Sequence, residues 1–130
     1  MAFQQQYDRE HYTPSAPVLD ITIKPQPATK EQTGTMVRAL VDSGADATML
    51  PEKLLVEIGA LKVDRRRSPG VYGQVRTVSV YPVDVQIGLL FIPSIQAIGV
   101  ADDDEPLIGR NVLNHLIVTL DGIGGVTEIS

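Results

Sequence analysis

The chain has 130 residues, 43% of them hydrophobic and 21% charged, with a formal net charge of −5. That length suits one domain with a modest core, and the apolar share is too high for a disordered chain. The lack of cysteine excludes a disulfide framework, a thiol nucleophile and a thiolate metal site, and the acidic balance argues against a nucleic-acid partner.

Only His11 and His115 could offer imidazole to a metal, so neither a metal nor another cofactor is expected. The longest apolar region, Ile87 to Ile92 with Gly88 inside it, is too short to span a bilayer and reads as a strand. Met1-Ala2-Phe3-Gln4-Gln5-Gln6 has neither the basic flank nor the apolar core of a signal peptide. The expected compartment is the cytoplasm, with no membrane partner.

Residues 1–17 are polar, end in Thr13-Pro14-Ser15-Ala16-Pro17, and read as a flexible N-terminal arm ahead of a domain over 18–130. Val18 to Ile23 is a predicted strand, and Pro25 and Pro27 open a loop through Gly34. Thr35 to Val41 is a second strand that runs into Asp42-Ser43-Gly44-Ala45-Asp46, with a short strand over Ala47 to Leu50. Pro51 to Ile58 has Pro at the first helical position, early acids and apolar residues three and four apart, with Gly59 as the stop: a short helix. Lys62 to Arg67 reads as an edge strand with Arg65-Arg66-Arg67 as its solvated end, and Ser68 to Gly73 as a turn. Gln74 to Ile87 alternates in strand fashion, with Pro82 suggesting a bulge or bend, and Leu89 to Ile98 continues the sheet. Asp102-Asp103-Asp104-Glu105 reads as a solvated loop, without the alternating ligands and turn glycine of a Ca²⁺ loop, though it could border a groove and favour basic residues. Pro106 to Gly109 is a short apolar strand, Arg110 to Leu116 a short helix with His115 as a cap, and Ile117 to Ile129 a terminal hairpin. About seven or more short strands with two short helices make a mainly β barrel or sandwich.

Asp42-Ser43-Gly44 is the segment that could carry chemistry. A bare Asp at a strand end is ordinarily a turn former, and the tripeptide alone would be read that way. Its neighbours change the weighing. Ala45-Asp46-Ala47-Thr48 continues it, Gly70-Val71-Tyr72-Gly73 is a glycine-bounded hairpin tip, and Leu107-Ile108-Gly109-Arg110-Asn111 follows late in the chain.

In this order, over roughly residues 18–120, these segments resemble the retropepsins, the single-domain aspartic peptidases of retroviruses and their cellular and bacterial relatives. The resemblance implies a closed β-barrel acid-protease fold with one or two short helices, assembled as a homodimer. It implies Asp42 as the catalytic carboxylate, Ser43 and Gly44 as support of the catalytic loop, and Gly44, Ala45 and Asp46 as contacts to the substrate main chain. It further implies an ion pair between Asp46 and Arg110, a flap of Val71, Tyr72 and Gly73 over the substrate, and Ile108 with Gly109 beneath the loop. Some features differ from the viral members: the loop with Pro25 and Pro27 is longer, Tyr72 stands where a flap Gly is usual, and the tail reads as a self-contained hairpin rather than an interleaving strand.

Hydrolysing an amide without a metal or a side-chain nucleophile needs one group to take a proton from water and another to protonate the carbonyl oxygen. Two carboxylates in contact do both, because only one of them can ionise. The chain holds one Asp-Ser-Gly; Asp121-Gly122 lacks the middle hydroxyl residue and fits a turn. A pair therefore needs a second copy, placed by a two-fold axis. The expected activity is an aspartic endopeptidase acting on a polypeptide bound extended, with an acidic, bell-shaped pH profile. The alternative is a catalytically silent dimeric peptide-binding or interaction module of the same fold.

Overall fold

The computed structural model describes residues 2–26, 34–69 and 75–130, with the side chains of 64–69 and 75–76 left aside. The chain runs β1 (Phe3–Gln6), β2 (Val18–Pro25), β3 (Thr35–Val41), β4 (Met49–Pro51), α1 (Glu52–Glu57), β5 (Asp64–Pro69), β6 (Val75–Ile87), β7 (Leu90–Val100), β8 (Leu107–Ile108), α2 (Arg110–Leu113), β9 (Val118–Asp121) and β10 (Val126–Ile129).

The larger sheet has the order β2-β3-β8-β4-β7-β6-β5, and β2 also pairs with β6. That extra pairing, Thr22 opposite Gln86 through Pro25 opposite Val83, closes the sheet into a barrel and leaves β5 as an outer strand on β6. Closure joins what would be the free edge of β2 to β6 and encloses an apolar interior. Leu19, Ile21 and Ile23 of β2 and Tyr81, Val83, Val85 and Ile87 of β6 alternate into that interior, joined by Leu50, Ile95, Ala97, Ile108, Val112 and Ile129. The alternation explains why both segments are strands: each buries one face at a period of two. At about 25 cal/mol per Å² of apolar surface, each fully buried Leu or Ile contributes roughly 1.5–3 kcal/mol.

The elements read from the sequence are present, with shifts that have physical causes. The helix starts one residue later than expected: Pro51 is extended (φ −56°, ψ 125°), caps α1 and ends β4. Gly59 stops the helix with φ +82°, a conformation that costs glycine nothing. Pro82 keeps the regular register opposite Gln96, and the irregularity falls instead between Val83 and Val85. There Asp84 is buried and accepts the Ser94 N–H at 3.0 Å. Pro25 still belongs to β2, while Pro27 lies outside the described residues.

The tail is not a self-contained hairpin. β9 and β10 pair as expected, but β1 adds to the far side of β10, with Phe3 opposite Ile129 and Gln6 opposite Val126, giving the order β1-β10-β9. Part of the segment read as an arm is thus a strand of this second sheet. No helix among the described residues is long and apolar enough to cross a membrane.

Candidate active site

β3 delivers the chain to Asp42. Its last residues lie beside β8 in parallel, Leu40 opposite Leu107 and Val41 opposite Ile108. The Asp42 N–H donates to the Ile108 carbonyl at 3.0 Å, so the residue that opens the loop is still held by the barrel wall. The Ala45 N–H donates to the Asp42 carbonyl at 3.2 Å, closing a tight turn over 42–45. Within it the Gly44 N–H donates to Asp42 Oδ1 at 2.9 Å. A Cβ at Gly44 would stand 3.2 Å from that same oxygen, so glycine lets the backbone approach the carboxylate closely. Asp42 is half-buried, and Ser43 and Gly44 are exposed. The carboxylate is therefore oriented by a backbone donor while remaining open to solvent on one side.

Arg110 binds the loop from behind. Its guanidinium pairs with Asp46, and its Nη1 donates to the Ser43 carbonyl at 2.8 Å. Its backbone N–H donates to the Ala45 carbonyl at 2.9 Å. One residue at the start of α2 thus holds the loop at Ser43, Ala45 and Asp46. The planar fork of arginine suits this divided grip better than a lysine would.

Beneath the loop a polar knot joins three chain segments. Asn111 Oδ1 accepts from the Thr48 N–H at 2.9 Å and from the Thr48 hydroxyl at 2.8 Å. The Thr48 hydroxyl oxygen accepts the Gly109 N–H at 3.2 Å, and Asn111 Nδ2 donates to the Gln96 carbonyl at 3.0 Å. Thr48 is fully buried, so these bonds replace water that its hydroxyl and the neighbouring amides would otherwise need. Gly109 lies where residues 45–47 cross over β8: a Cβ there would meet the Ala47 carbonyl oxygen at 2.4 Å.

Asp42, Ser43, Gly44, Ala45, Asp46, Ile108 and Arg110 therefore stand together in one constellation. Val71, Tyr72 and Gly73, the expected flap, lie outside the described residues; the strands that lead to that tip, β5 and β6, pair through Pro69 opposite Val75. His115 is exposed, with its N–H on the Val112 carbonyl at the end of α2. No group of three or more His, Asp or Glu side chains gathers as a metal site among the described residues. Nothing local in the sequence marks Thr48 or Asn111 as part of the site. A buried Thr signals its importance only through its partner, and that partner is far away in the chain.

Residues 30–115 match the family described as "gag-polyprotein putative aspartyl protease". The chain belongs to the retropepsin-like aspartic proteases. Relatives of this retropepsin-like domain include the DNA damage-inducible protein 1 of Chaetomium globosum and that of Neurospora crassa, each 30% identical over 95 residues and 70% of this chain. The chain spans about a fifth of the length of these curated relatives, 21% and 22%. Among solved structures, a retropepsin-like aspartic protease from Rickettsia conorii superposes with a TM-score of 0.73 at 15% identity, over 99% of this chain and 89% of that one. The EIAV protease complexed with the inhibitor HBY-793 gives 0.52 at 18% identity, over 85% and 93%. These two likenesses establish the mainly β retropepsin-like fold.

Proposed function

We propose that this chain is an aspartic endopeptidase whose active site forms when two copies bring their Asp42 carboxylates together. The observation that carries the reading is the setting of Asp42 at a strand end: its half-buried carboxylate accepts the Gly44 N–H, its backbone N–H donates to the Ile108 carbonyl, and its loop is braced by Arg110. Such bracing leaves the carboxylate little freedom to reorganise during reaction, which is what general acid–base catalysis requires. In the pair, one carboxylate is ionised and takes a proton from water while the other, protonated, gives one to the amide carbonyl oxygen. The water oxygen adds to the carbonyl carbon, and the tetrahedral species collapses with protonation of the leaving nitrogen.

The case for a second copy is partly compositional, since a single chain supplies one such Asp. It is also supported by the surface beside the loop. Val41, Ser43, Leu113, Leu116, Val118 and Leu120 line a cleft of about 290 Å³ next to the catalytic turn. Ile117 and Leu120 are exposed there at 72% and 52%, on or beside β9, the outer strand of its sheet. Apolar surface beside an open strand edge is where a subunit contact is favoured.

The substrate would be a polypeptide lying extended, meeting the backbone of Gly44 and Ala45 and the Asp46 side chain, with Val71, Tyr72 and Gly73 above. Ile108, expected as a substrate contact, is fully buried in the barrel and serves the loop from beneath instead. A peptide-library digest read by mass spectrometry across pH tests the reading. Wild type should cut with an acidic, bell-shaped profile, and Asp42→Asn should fall by about 10³-fold or more. Specific activity should drop on dilution as dimers dissociate. A wild-type chain that binds peptides without cutting them would turn the assignment to a silent binding module.

A further inference from the structure

The segment between β1 and β2 is tied to the strand that carries Asp42. The Tyr7 N–H donates to the Gly125 carbonyl at 2.8 Å, and Asp8 and Ala16 exchange backbone bonds at 2.9 and 3.1 Å, closing the loop at its base. The buried Asp8 side chain accepts the Glu10 and His11 N–H groups at 2.9 Å each and meets Arg38 of β3 at 3.4 Å. The Pro17 carbonyl, where the loop rejoins the barrel, accepts the Val41 N–H at 3.0 Å. On the opposite edge of β3, the Leu40 N–H donates to the Pro106 carbonyl at 2.9 Å and the Asp42 N–H to Ile108. Tyr12, within the loop, then donates its hydroxyl to the carboxylate of Glu105, the residue before Pro106.

The end of β3 is thus flanked by the loop on one edge and by residues 106–108 on the other, and the Tyr12–Glu105 bond links the two flanks. We infer that Tyr12 is a positioning residue for catalysis: through Glu105 it fixes the 105–108 segment whose carbonyls hold Leu40 and Asp42. The inference rests on the peptidase reading above. Partial burial and the Glu105 carboxylate push the Tyr12 phenol up to about 12, so it remains a hydrogen-bond donor over any working pH.

Glu105→Gln preserves an acceptor oxygen, whereas Tyr12→Phe and Glu105→Ala each remove one end of the bond. In the full-length chain, Tyr12→Phe should lower kcat about three- to tenfold with KM within about twofold, and Glu105→Ala should match it. Glu105→Gln should stay close to wild type, and the double variant should be no worse than either single one. Amide exchange at Leu40, Val41 and Asp42, read by NMR, should quicken in Tyr12→Phe by a similar factor, in a readout that needs no turnover. Unchanged kcat with unchanged exchange, or additive losses in the double variant, would overturn the inference. If wild type shows no turnover, the peptidase reading falls, and the exchange comparison alone decides whether Tyr12 holds the Asp42 strand.

Discussion

Gly109 shows how little room the loop after Asp42 leaves. Its backbone is extended, with φ −92° and ψ −177°, so conformation does not demand glycine. Space does: a Cβ would sit 2.4 Å from the Ala47 carbonyl oxygen, 2.5 Å from the Ala47 carbonyl carbon and 3.0 Å from the Ala45 oxygen, all backbone atoms that cannot swing aside. Gly109→Ala should therefore cost about 1–3 kcal/mol, measured as a lower midpoint in urea unfolding, and should reduce turnover by pushing 45–47 off β8. Thr48→Val tests the knot beside it. The change keeps the shape but removes the hydroxyl that the Gly109 N–H and Asn111 Oδ1 both use, so about 1–3 kcal/mol should be lost, while Thr48→Ser should retain most of it. At this scale the legible residues were those whose chemistry is local. Asp42 and Gly44 belong to one turn, and Arg110 carries its charge openly. Thr48 and Asn111 were not legible, because a hydroxyl three residues past a turn says nothing about an amide on a distant helix.

Among elements, the strands with a clean period of two were readable, and those formed by distant pairing were not. β2 and β6 declare themselves through alternating Val, Ile and Leu, and β3 was expected over the residues it occupies. β1 has a single apolar residue in Phe3-Gln4-Gln5-Gln6, and it is a strand because β10 presents an edge to it. The loop that follows is organised by Asp8, which is buried although no pattern in Asp8-Arg9-Glu10-His11 announces it. The His11 N–H, helped by the His11 ring and the Glu10 N–H, holds this carboxyl down at about 2 against the upward push of burial. A depressed folded-state value means the stabilising contribution is complete above the ordinary carboxylate value near 4 and fades as pH falls through about 2. The melting temperature of wild type should thus exceed that of Asp8→Asn at pH 5 to 7, and the gap should close between about pH 4 and 2. A gap that persists undiminished at pH 2 would mean Asp8 acts through shape rather than charge.

For the whole molecule, the decisive contacts join the two ends of the chain. Phe3 pairs opposite Ile129, which is fully buried, and its ring lies over Gly88, where a Cβ would meet Phe3 Cδ2 at 2.6 Å. Gly88 has φ +58°, so the β6–β7 turn needs glycine both for its backbone and for the ring above it. The Asp20 N–H donates to Gln5 Oε1 at 2.7 Å, linking β1 to β2, and Arg38 binds Asp20 and Asp8 together. The second sheet thus seals one side of the barrel with residues from both termini. That closure could not be read from local pattern, since it is a property of which ends meet. It changes what residues 1–17 should do. A flexible arm could be deleted without consequence; a strand and a clasped loop could not. Comparing 18–130 with the full chain by calorimetry should show a loss on the order of 3–5 kcal/mol, from the Phe3 burial and the β1–β10 pairing, and a melting temperature lower by roughly 10–20 °C. If the truncated chain melts with the full one, β1 contributes nothing in solution and the barrel stands alone. If it melts earlier, the dimers proposed above should also dissociate at higher concentration, because β9 would then rest on a two-stranded hairpin, a support too thin to be stable by itself.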